Sequence, residues 1–412
     1  MKHLYSYKYR LDPTLKQQVL LNKHFGCVRY LYNHFLTQRT IAYKEKQETQ
    51  NYYDNAVELP KLKKDSPWLK EVGSQSLQYA VKQLQNGYDN FFRKCKQKIK
   101  GKKGFPRYKS KHGKQSFKVM QNVRLIEGKL VIPKFLEGIP IILHRELEGE
   151  IKFATVSKNK VGQYFVSITV ERDIKPLPKS KKIVGYDLNV KQMVGSDGNK
   201  HNNPLPEHKH KQYLKFLAKE VSRKKKGSKE RKKAQLRYNK WKLYCKNKRE
   251  DFLHKVSSKI INENQVIVLE DLDVKEMFVN KKDKRKEPRW KERKRHKQLQ
   301  DCGFYSFVQK LMYKAEWYGR EIIKVSRWFP SSQLCSKCNY QNKELGEEKE
   351  WTCWNCFANH NRDENAACNI HNEGMRIKTL GTRGIADCLP DVRPIKDGLL
   401  VGSEAPPSLA AG

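Results

Sequence analysis

The sequence predicts an α/β chain in two parts. A small β-barrel or sheet, which the first strand could rejoin around a helical insertion, precedes an α/β domain carrying a cysteine hairpin. Three observations predict this. Two apolar runs, Ile183-Val-Gly-Tyr-Asp187 and Val266-Ile-Val-Leu-Glu270, read as buried strands that each end in a carboxylate. Short alternating runs between residues 116 and 178 read as strands joined by turns. Two CxxC pairs, Cys335-Ser-Lys-Cys338 and Cys353-Trp-Asn-Cys356, have the spacing of metal-ligating knuckles.

The elements follow in order. Residues 3–10 alternate apolar and polar (Leu4, Tyr5, Tyr7, Tyr9), which suits a strand, and Asp12-Pro13-Thr14 breaks it and caps a helix. Phe25, Val28, Tyr32, Phe35 and Leu36 recur at helical spacing, as do Leu77, Val81, Leu84, Tyr88 and Phe91. The stretch 40–60 between them is polar. Residues 96–115 are basic, punctuated by Gly and Pro, and carry two aromatics. This composition fits either phosphate contact with base stacking or a solvated loop. Strands are expected at Ser116–Met120, Lys129–Ile132, Ile141–Leu143, Ile151–Val156 and Tyr164–Glu171, and the strand at 3–10 could rejoin them.

After the Pro/Lys linker at 176–182 comes the strand ending in Asp187, then a hairpin through Ser196-Asp197-Gly198-Asn199. Residues 206–262 read as a long helical hairpin hinged at Gly227-Ser228, within a run of one-sided positive charge that suits a polyanion. The strand ending in Glu270 precedes a second basic segment at 280–297, expected to be mobile. A helix through Phe304, Val308, Leu311, Ala315 and Tyr318 leads to a strand at Ile322–Val325. Arg362–His371 should be helical, and the small-residue tail from Gly374 is expected to be disordered.

Composition narrows the partners. The 412 residues hold 86 Lys+Arg against 44 Asp+Glu, a formal net charge of +42. Such a charge attracts a polyanion, and nucleic acid is favoured because neutralising phosphates releases counterions. A membrane surface is disfavoured: there is no long apolar run, no basic amphipathic helix with a bulky apolar face and no lipidation motif. The N-terminal residues lack an apolar signal segment, so a reducing compartment is expected, with cysteines kept as thiols or metal ligands. Cys27, Cys95, Cys245, Cys302, Cys368 and Cys388 are scattered and read as packing residues.

The remaining four cysteines can close a tetrahedral structural Zn²⁺ site, although the fourteen-residue spacer is just under the usual ribbon range. The alternative is four unrelated thiols or two disulfides. Asp187, Glu270 and Asp363 are the candidates for chemistry. Adjacent strand ends can gather distant carboxylates, and gathered carboxylates repel unless a cation such as Mg²⁺ or Mn²⁺ neutralises them. Two such ions would activate a water and stabilise a leaving oxygen in phosphodiester cleavage. Each acid alone reads better as a cap or a salt-bridge partner, and Asp271 and Asp273 lie as close to the second strand as Glu270.

Val184-Gly-Tyr-Asp187-Leu-Asn-Val, Ile267-Val-Leu-Glu270-Asp-Leu-Asp-Val and His360-Asn-Arg-Asp363-Glu-Asn-Ala-Ala367-Cys-Asn-Ile370 resemble the three RuvC motifs of the TnpB family of transposon-encoded, RNA-guided DNA nucleases, relatives of type V CRISPR effectors. Tyr9-Arg-Leu-Asp-Pro-Thr14, Trp68-Leu-Lys-Glu-Val72 with Leu77-Gln78, Gly104-Phe-Pro-Arg-Tyr-Lys109 and Ser331-Ser-Gln-Leu-Cys335 are similar to further stretches of that family, as are Gly381-Thr-Arg-Gly-Ile385 and Ser403-Glu-Ala-Pro406 in the tail. The resemblance covers roughly residues 5–371.

It implies an RNase H-like (RuvC) nuclease domain at 181–330 and 359–373, with an inserted zinc ribbon at 331–358. It also implies a β-barrel wedge domain at 1–14 and 112–180, a helical recognition segment at 15–111 and a disordered tail at 374–412. The catalytic, metal-holding acids would be Asp187, Glu270 and Asp363, and the zinc ligands Cys335, Cys338, Cys353 and Cys356. A guide RNA from the transposon end would pair with target DNA while the protein reads a short flanking motif. Nucleic-acid contacts are expected at Ser74, Gln75, Gln78, Arg107, Lys109, Arg223 and Lys224, where Gln can pair with adenine. The protein would be monomeric in its complex, cytoplasmic and nucleoid-associated, in a bacterium or archaeon. The chain departs from the family pattern at Asn189, Phe357 and Asn361. The competing readings are a guided DNA-binding regulator without cleavage, which the intact triad argues against, and a zinc-ribbon transposase that acts on DNA without RNA.

Overall fold

Strand β1 (Lys2–Leu11) buries Tyr7, Tyr9 and Leu11 on one face and exposes the residues between them. That alternation fits a strand in the middle of a sheet with one covered face. This computed structural model describes residues 2–98, 103–273, 276–278, 289–346 and 348–381. The chain forms two compact units, one of Met1–Lys175 with Gln212–Tyr244, the other of Pro176–Lys211 with the chain from Cys245 on.

In the first unit β1 leads into α1 (Leu15–Lys46), α2 (Tyr52–Asp65) and α3 (Ser74–Lys96). Thr14 caps α1 through a reciprocal pair of bonds with Gln17, and Asn51 with Asp54 does the same for α2. The stretch read as merely polar is therefore the end of α1 and most of α2; its low hydrophobicity reflects helices that bury only a narrow stripe (Asn55, Leu59 and Leu62 in α2). Strands β2 (Gln115–Val119), β3 (Arg124–Ile126), β4 (Lys129–Ile132), β5 (Phe135–Ile142), β6 (Glu150–Lys158) and β7 (Tyr164–Asp173) follow. With β1 they form a seven-stranded antiparallel sheet in the order β2-β6-β7-β1-β5-β4-β3. β1 pairs with β7 along its whole length, so the three helices are an insertion after the first strand. The sequence does not reveal β3, whose three residues, two of them exposed, carry little pattern, and it sets a strand at Ile141–Leu143 where β5 runs from Phe135 to Ile142.

The second unit holds β8 (Ile183–Leu188), β9 (Gln192–Gly195) and β10 (Lys200–Asn202), then the short α4 (Pro206–Lys209). Helix α5 (Lys211–Arg223) and the first part of α6 (Lys229–Glu263) return to the first unit. Between them Gly227 adopts φ +87°, a conformation glycine takes without strain. The second unit continues with β11 (Val266–Glu270), α7 (Arg289–Cys302), α8 (Phe304–Tyr318), β12 (Glu321–Val325), β13 (Glu350–Thr352), β14 (Asn359–Asn361) and α9 (Arg362–Gly381). The main sheet runs β10-β9-β8-β11-β12. β8, β11 and β12 are parallel, and β9 and β10 form an antiparallel meander on β8. Counted from β8 the order is 3-2-1-4-5, consistent with an RNase H-like sheet. β11 sits between two parallel neighbours, and Val266 to Leu269 are all buried, as an interior parallel strand requires.

Helix α9 extends to Gly381, past the point where the sequence suggested disorder; Ile370 is buried and Ile377 packs with it against the sheet. Parts of both basic segments (99–102 and 279–288) and the tail from residue 382, with its two family-like stretches except Gly381, lie outside the described residues. Among the described residues no helix is long and apolar enough to cross a membrane.

Two glycines let α9 press onto the sheet. A Cβ on Gly185 would meet the backbone nitrogen of His371 and the carbonyl oxygen of Ala367, the latter at 2.6 Å. A Cβ on Gly374 would collide with the side chain of Val268. Backbone atoms of a helix cannot give way one at a time. Gly185→Ala should therefore displace α9 and destabilise the protein by about 1–3 kcal/mol, measured as a lowered unfolding midpoint; an unchanged midpoint would mean that the helix can shift freely.

Candidate active site

The parallel register sets Tyr186 opposite Leu269, so the next residues, Asp187 on β8 and Glu270 on β11, emerge side by side at the C-terminal edge of the sheet. Ligand sites of α/β sheets commonly form at this edge. Asp363 lies in the first turn of α9, whose N-terminal amides of Asp363 and Glu364 donate to the Asn361 side chain. Asn361 is thus the helix cap, a role that needs an acceptor oxygen but no charge.

Asp187 feels the other two acids. Burial, then Glu270 and Asp363, push the Asp187 carboxyl up to about 7. Burial also raises Glu270, and a bond from the Ser331 hydroxyl at 2.5 Å opposes that rise. Asn189 bridges the other two: its Nδ2 donates to Asp187 at 2.6 Å and to Asp363 at 2.8 Å. Gln192 donates to the second oxygen of Asp363 at 3.2 Å. Among the described residues none of the three acids is held in an ion pair. The neighbouring acids are: Asp271 binds Lys324 at 3.0 Å, and Asp273 binds Arg327 at 3.3 Å, both on exposed surface. Half-buried carboxylates gathered without a direct ion pair, with Arg362 offsetting only part of the rise of Asp187, are a donor set suited to a hard divalent cation. Asn189 stood out in the sequence only as a departure from the family pattern; its bridging role required coordinates.

The four cysteines meet. Their sulfurs lie within 4.8 Å of one another, the pairs Cys335–Cys356 and Cys338–Cys353 at 3.6 Å. A disulfide needs about 2.05 Å, whereas tetrahedral sulfurs around a metal at about 2.3 Å stand about 3.8 Å apart. The cluster could therefore hold a tetrahedral metal ion. Bonds from the Asn355 side chain and the Tyr340 backbone draw the Cys338 thiol down to about 6, towards the thiolate that binds metal. His360, buried and packed on Trp351, places Nε2 3.1 Å from the Cys335 sulfur, a contact the cysteine spacing could not disclose. Phe357 takes the left-handed φ of +56° just after the fourth cysteine, a turn that glycine would make more easily. Of the other cysteines, Cys27, Cys245 and Cys302 are buried, Cys95 and Cys368 half-buried, and Cys388 lies outside the described residues.

The expected nucleic-acid contacts all lie in the first unit and differ in availability. Ser74, Gln78, Arg107 and Arg223 are exposed, and Lys224 is half-buried. Gln75 spends its carbonyl on the backbone amides of Met120 and Gln121, at 3.1 and 2.9 Å. Lys109 donates to Gln83 and stands 3.8 Å over the Tyr32 ring; burial lowers it to about 8. The last two are committed to packing as well as poised near solvent.

Comparison with known proteins gives three family models. One described as "Probable transposase" matches residues 165–281, and one described as "Cas12f1-like, TNB domain" matches 304–370. A third, described as "Helix-turn-helix domain", matches residues 1–48, which here form β1 and one uninterrupted helix. A Streptomyces pristinaespiralis protein named "Putative RNA-guided DNA endonuclease" is 36% identical over 91% of this chain and 90% of its own length. The Escherichia coli K12 protein named "Putative RNA-guided DNA endonuclease InsQ" is 28% identical over 96% and 97%. A solved Cas12f1–sgRNA–target DNA complex covers 90% of this chain and 99% of the matched chain at 13% identity, with a TM-score of 0.45.

The Asp187 carboxyl stands above its ordinary value of 3.8, so the folded protein keeps a proton that the unfolded chain releases. That penalty is absent below about pH 4 and grows as pH rises through about 7. In chelator, Asp187→Asn should be more stable than the parent at pH 8, by on the order of 4 kcal/mol, and the gain should vanish near pH 4. Calorimetry at the two pH values checks this; a gain independent of pH would contradict it.

Proposed function

The chain belongs to the family of TnpB-like, transposon-associated RNA-guided DNA endonucleases, and from that membership we propose that it cleaves target DNA phosphodiesters under the direction of a guide RNA, at Asp187, Glu270 and Asp363. The observation that carries the proposal is the convergence of these acids. They come from three distant stretches of chain, and Asp187 is raised to about 7 by burial and by the other two.

Asp187, Glu270 and Asp363 would hold Mg²⁺ or Mn²⁺. The chemistry supplied by a bound pair of such cations is activation of a water and stabilisation of the leaving oxygen. The protein's own part is to hold the donors. Ser331 fixes the orientation of Glu270, and the Asn189 amide spaces Asp187 from Asp363. Because Asp187 must lose its proton to serve as a ligand, cation affinity should fall as pH drops below about 7.

The cysteine cluster would carry a structural Zn²⁺, with 331–358 as a zinc ribbon inserted in the nuclease domain. The antiparallel sheet of the first unit would be the wedge and its inserted helices the recognition segment. Guide RNA and target DNA are the partners, and the net charge of +42 supports both. Ser74, Gln78, Arg107, Arg223 and Lys224 would contact nucleic acid by side chains that are at least partly free; Gln75 and Lys109 would do so from positions they also stabilise.

Asp187→Ala and Asp363→Ala should each reduce cleavage of a guide-matched duplex to background while leaving nucleic-acid affinity nearly unchanged, assayed by gel and by filter binding in parallel. Cleavage at the parental rate by either variant would refute the catalytic assignment. Cys335→Ser should lose zinc by atomic absorption, and retained stoichiometry would reject the four-cysteine site.

A further inference from the structure

Three side chains of the two family-like motifs around the cysteine cluster have no part in holding either metal, yet they are buried and hydrogen-bonded. Asn365 is 3% exposed; its Oδ1 accepts from the Ser336 backbone amide at 2.9 Å and its Nδ2 donates to the Leu334 carbonyl at 2.6 Å. Asn369, one turn further along α9 and also 3% exposed, donates to the carbonyls of Ser331 and Leu334 at 2.8 and 2.7 Å. Ser331 begins the same six-residue segment, and its hydroxyl donates to Glu270 at 2.5 Å. Cys335, near the other end of the segment, is a member of the cysteine cluster and contacts His360, three residues before Asp363.

The segment 331–336 is therefore laced to α9 at two points one helical turn apart. It touches a proposed metal ligand at one end and the cysteine cluster at the other. A buried amide leaves its partners unpaired when it moves, at a cost of about 1–3 kcal/mol for each group. The segment and the first turns of α9 should thus shift together or not at all. A metal at the cysteine cluster fixes Cys335, which fixes the segment; the segment fixes Ser331 against Glu270, and α9 carries Asp363.

We infer that Ser331, Asn365 and Asn369 are positioning residues that couple the cysteine cluster to the carboxylate site, so that metal held by the four cysteines sets the affinity of Glu270 and Asp363 for the second metal. The inference rests on the metal-holding role proposed above for the acids. Outer partners of ligands commonly alter metal affinity by roughly 10–100-fold. Coupling between two binding sites is reciprocal, so the carboxylate metal must tighten the cysteine metal by the same factor.

The test uses the purified full-length protein and Mn²⁺, whose binding is followed by electron paramagnetic resonance. Asp187→Ala identifies the carboxylate site. In the zinc-loaded protein, Ser331→Ala should weaken Mn²⁺ binding roughly tenfold with zinc content unchanged, and Ser331→Thr, which keeps the hydroxyl, should restore it. Removing zinc from the parent should weaken Mn²⁺ roughly five- to tenfold, and saturating Mn²⁺ should raise zinc affinity against a chromophoric chelator by the same factor. If Mn²⁺ binds at the Asp187-dependent site with equal affinity in the parent and in zinc-loaded Ser331→Ala, the coupling is wrong. If the parent has no Asp187-dependent Mn²⁺ site, the metal-holding role of the acids is wrong instead. Should the zinc-free protein unfold, the zinc affinity with and without saturating Mn²⁺ still decides the matter, and an unchanged value would overturn the coupling.

Discussion

The closeness of α9 to the main sheet is the constraint on which the second unit depends. A helix normally stands off a sheet by the thickness of its side chains. Here Gly185 removes that spacer, and the backbone around Ala367 and His371 lies directly against β8, while Gly374 admits the Val268 side chain. The approach brings the first turn of α9 to the end of β8, close enough for one Asn189 nitrogen to bond both Asp187 and Asp363. A strand residue with no side chain thereby determines where an acid nearly two hundred residues away is found.

The site is held against its own electrostatics. Asp187 rises because it is desolvated beside two other acids; Arg362 opposes that rise, but among the described residues none of the three is held in a direct ion pair. Arg362 offsets only part of the Asp187 rise, so the arrangement costs stability, and that cost is the usual mark of a site shaped for binding rather than for folding. The cysteine cluster works in the opposite sense. Its four sulfurs are gathered where an ion can tie together a segment that has few apolar contacts of its own, chiefly those of Trp351 and Leu345 with the cysteines.

Much of this was legible in the sequence, for physical reasons. β8 and β11 are buried on both faces and read as unbroken apolar runs, and the carboxylates at their ends were visible beside them. The cysteine spacing is short-range and needed no fold to interpret. Gly227 punctuated the α5–α6 hairpin as glycine does wherever a positive φ is needed. Other features depend on contacts far apart in the chain. Nothing local distinguishes Glu270 from Asp271; only the fold gives Asp271 to Lys324 and leaves Glu270 to Ser331. Asn189 and His360 were visible as residues but not as bonds. α2 was missed because its buried stripe is three residues wide, and the end of α9 because its polar outer face resembles a tail.

The central claim is that RNA directs where this chain cuts. The most direct measurement is cleavage of two unrelated duplexes by the protein loaded, in separate preparations, with two guides that differ only in the pairing segment, in Mg²⁺ and at a salt concentration high enough to suppress charge-driven binding. The account predicts that each preparation cuts only the duplex matching its guide, so that exchanging the guides exchanges the products. Cutting of both duplexes by either preparation, or by protein without RNA, would contradict it.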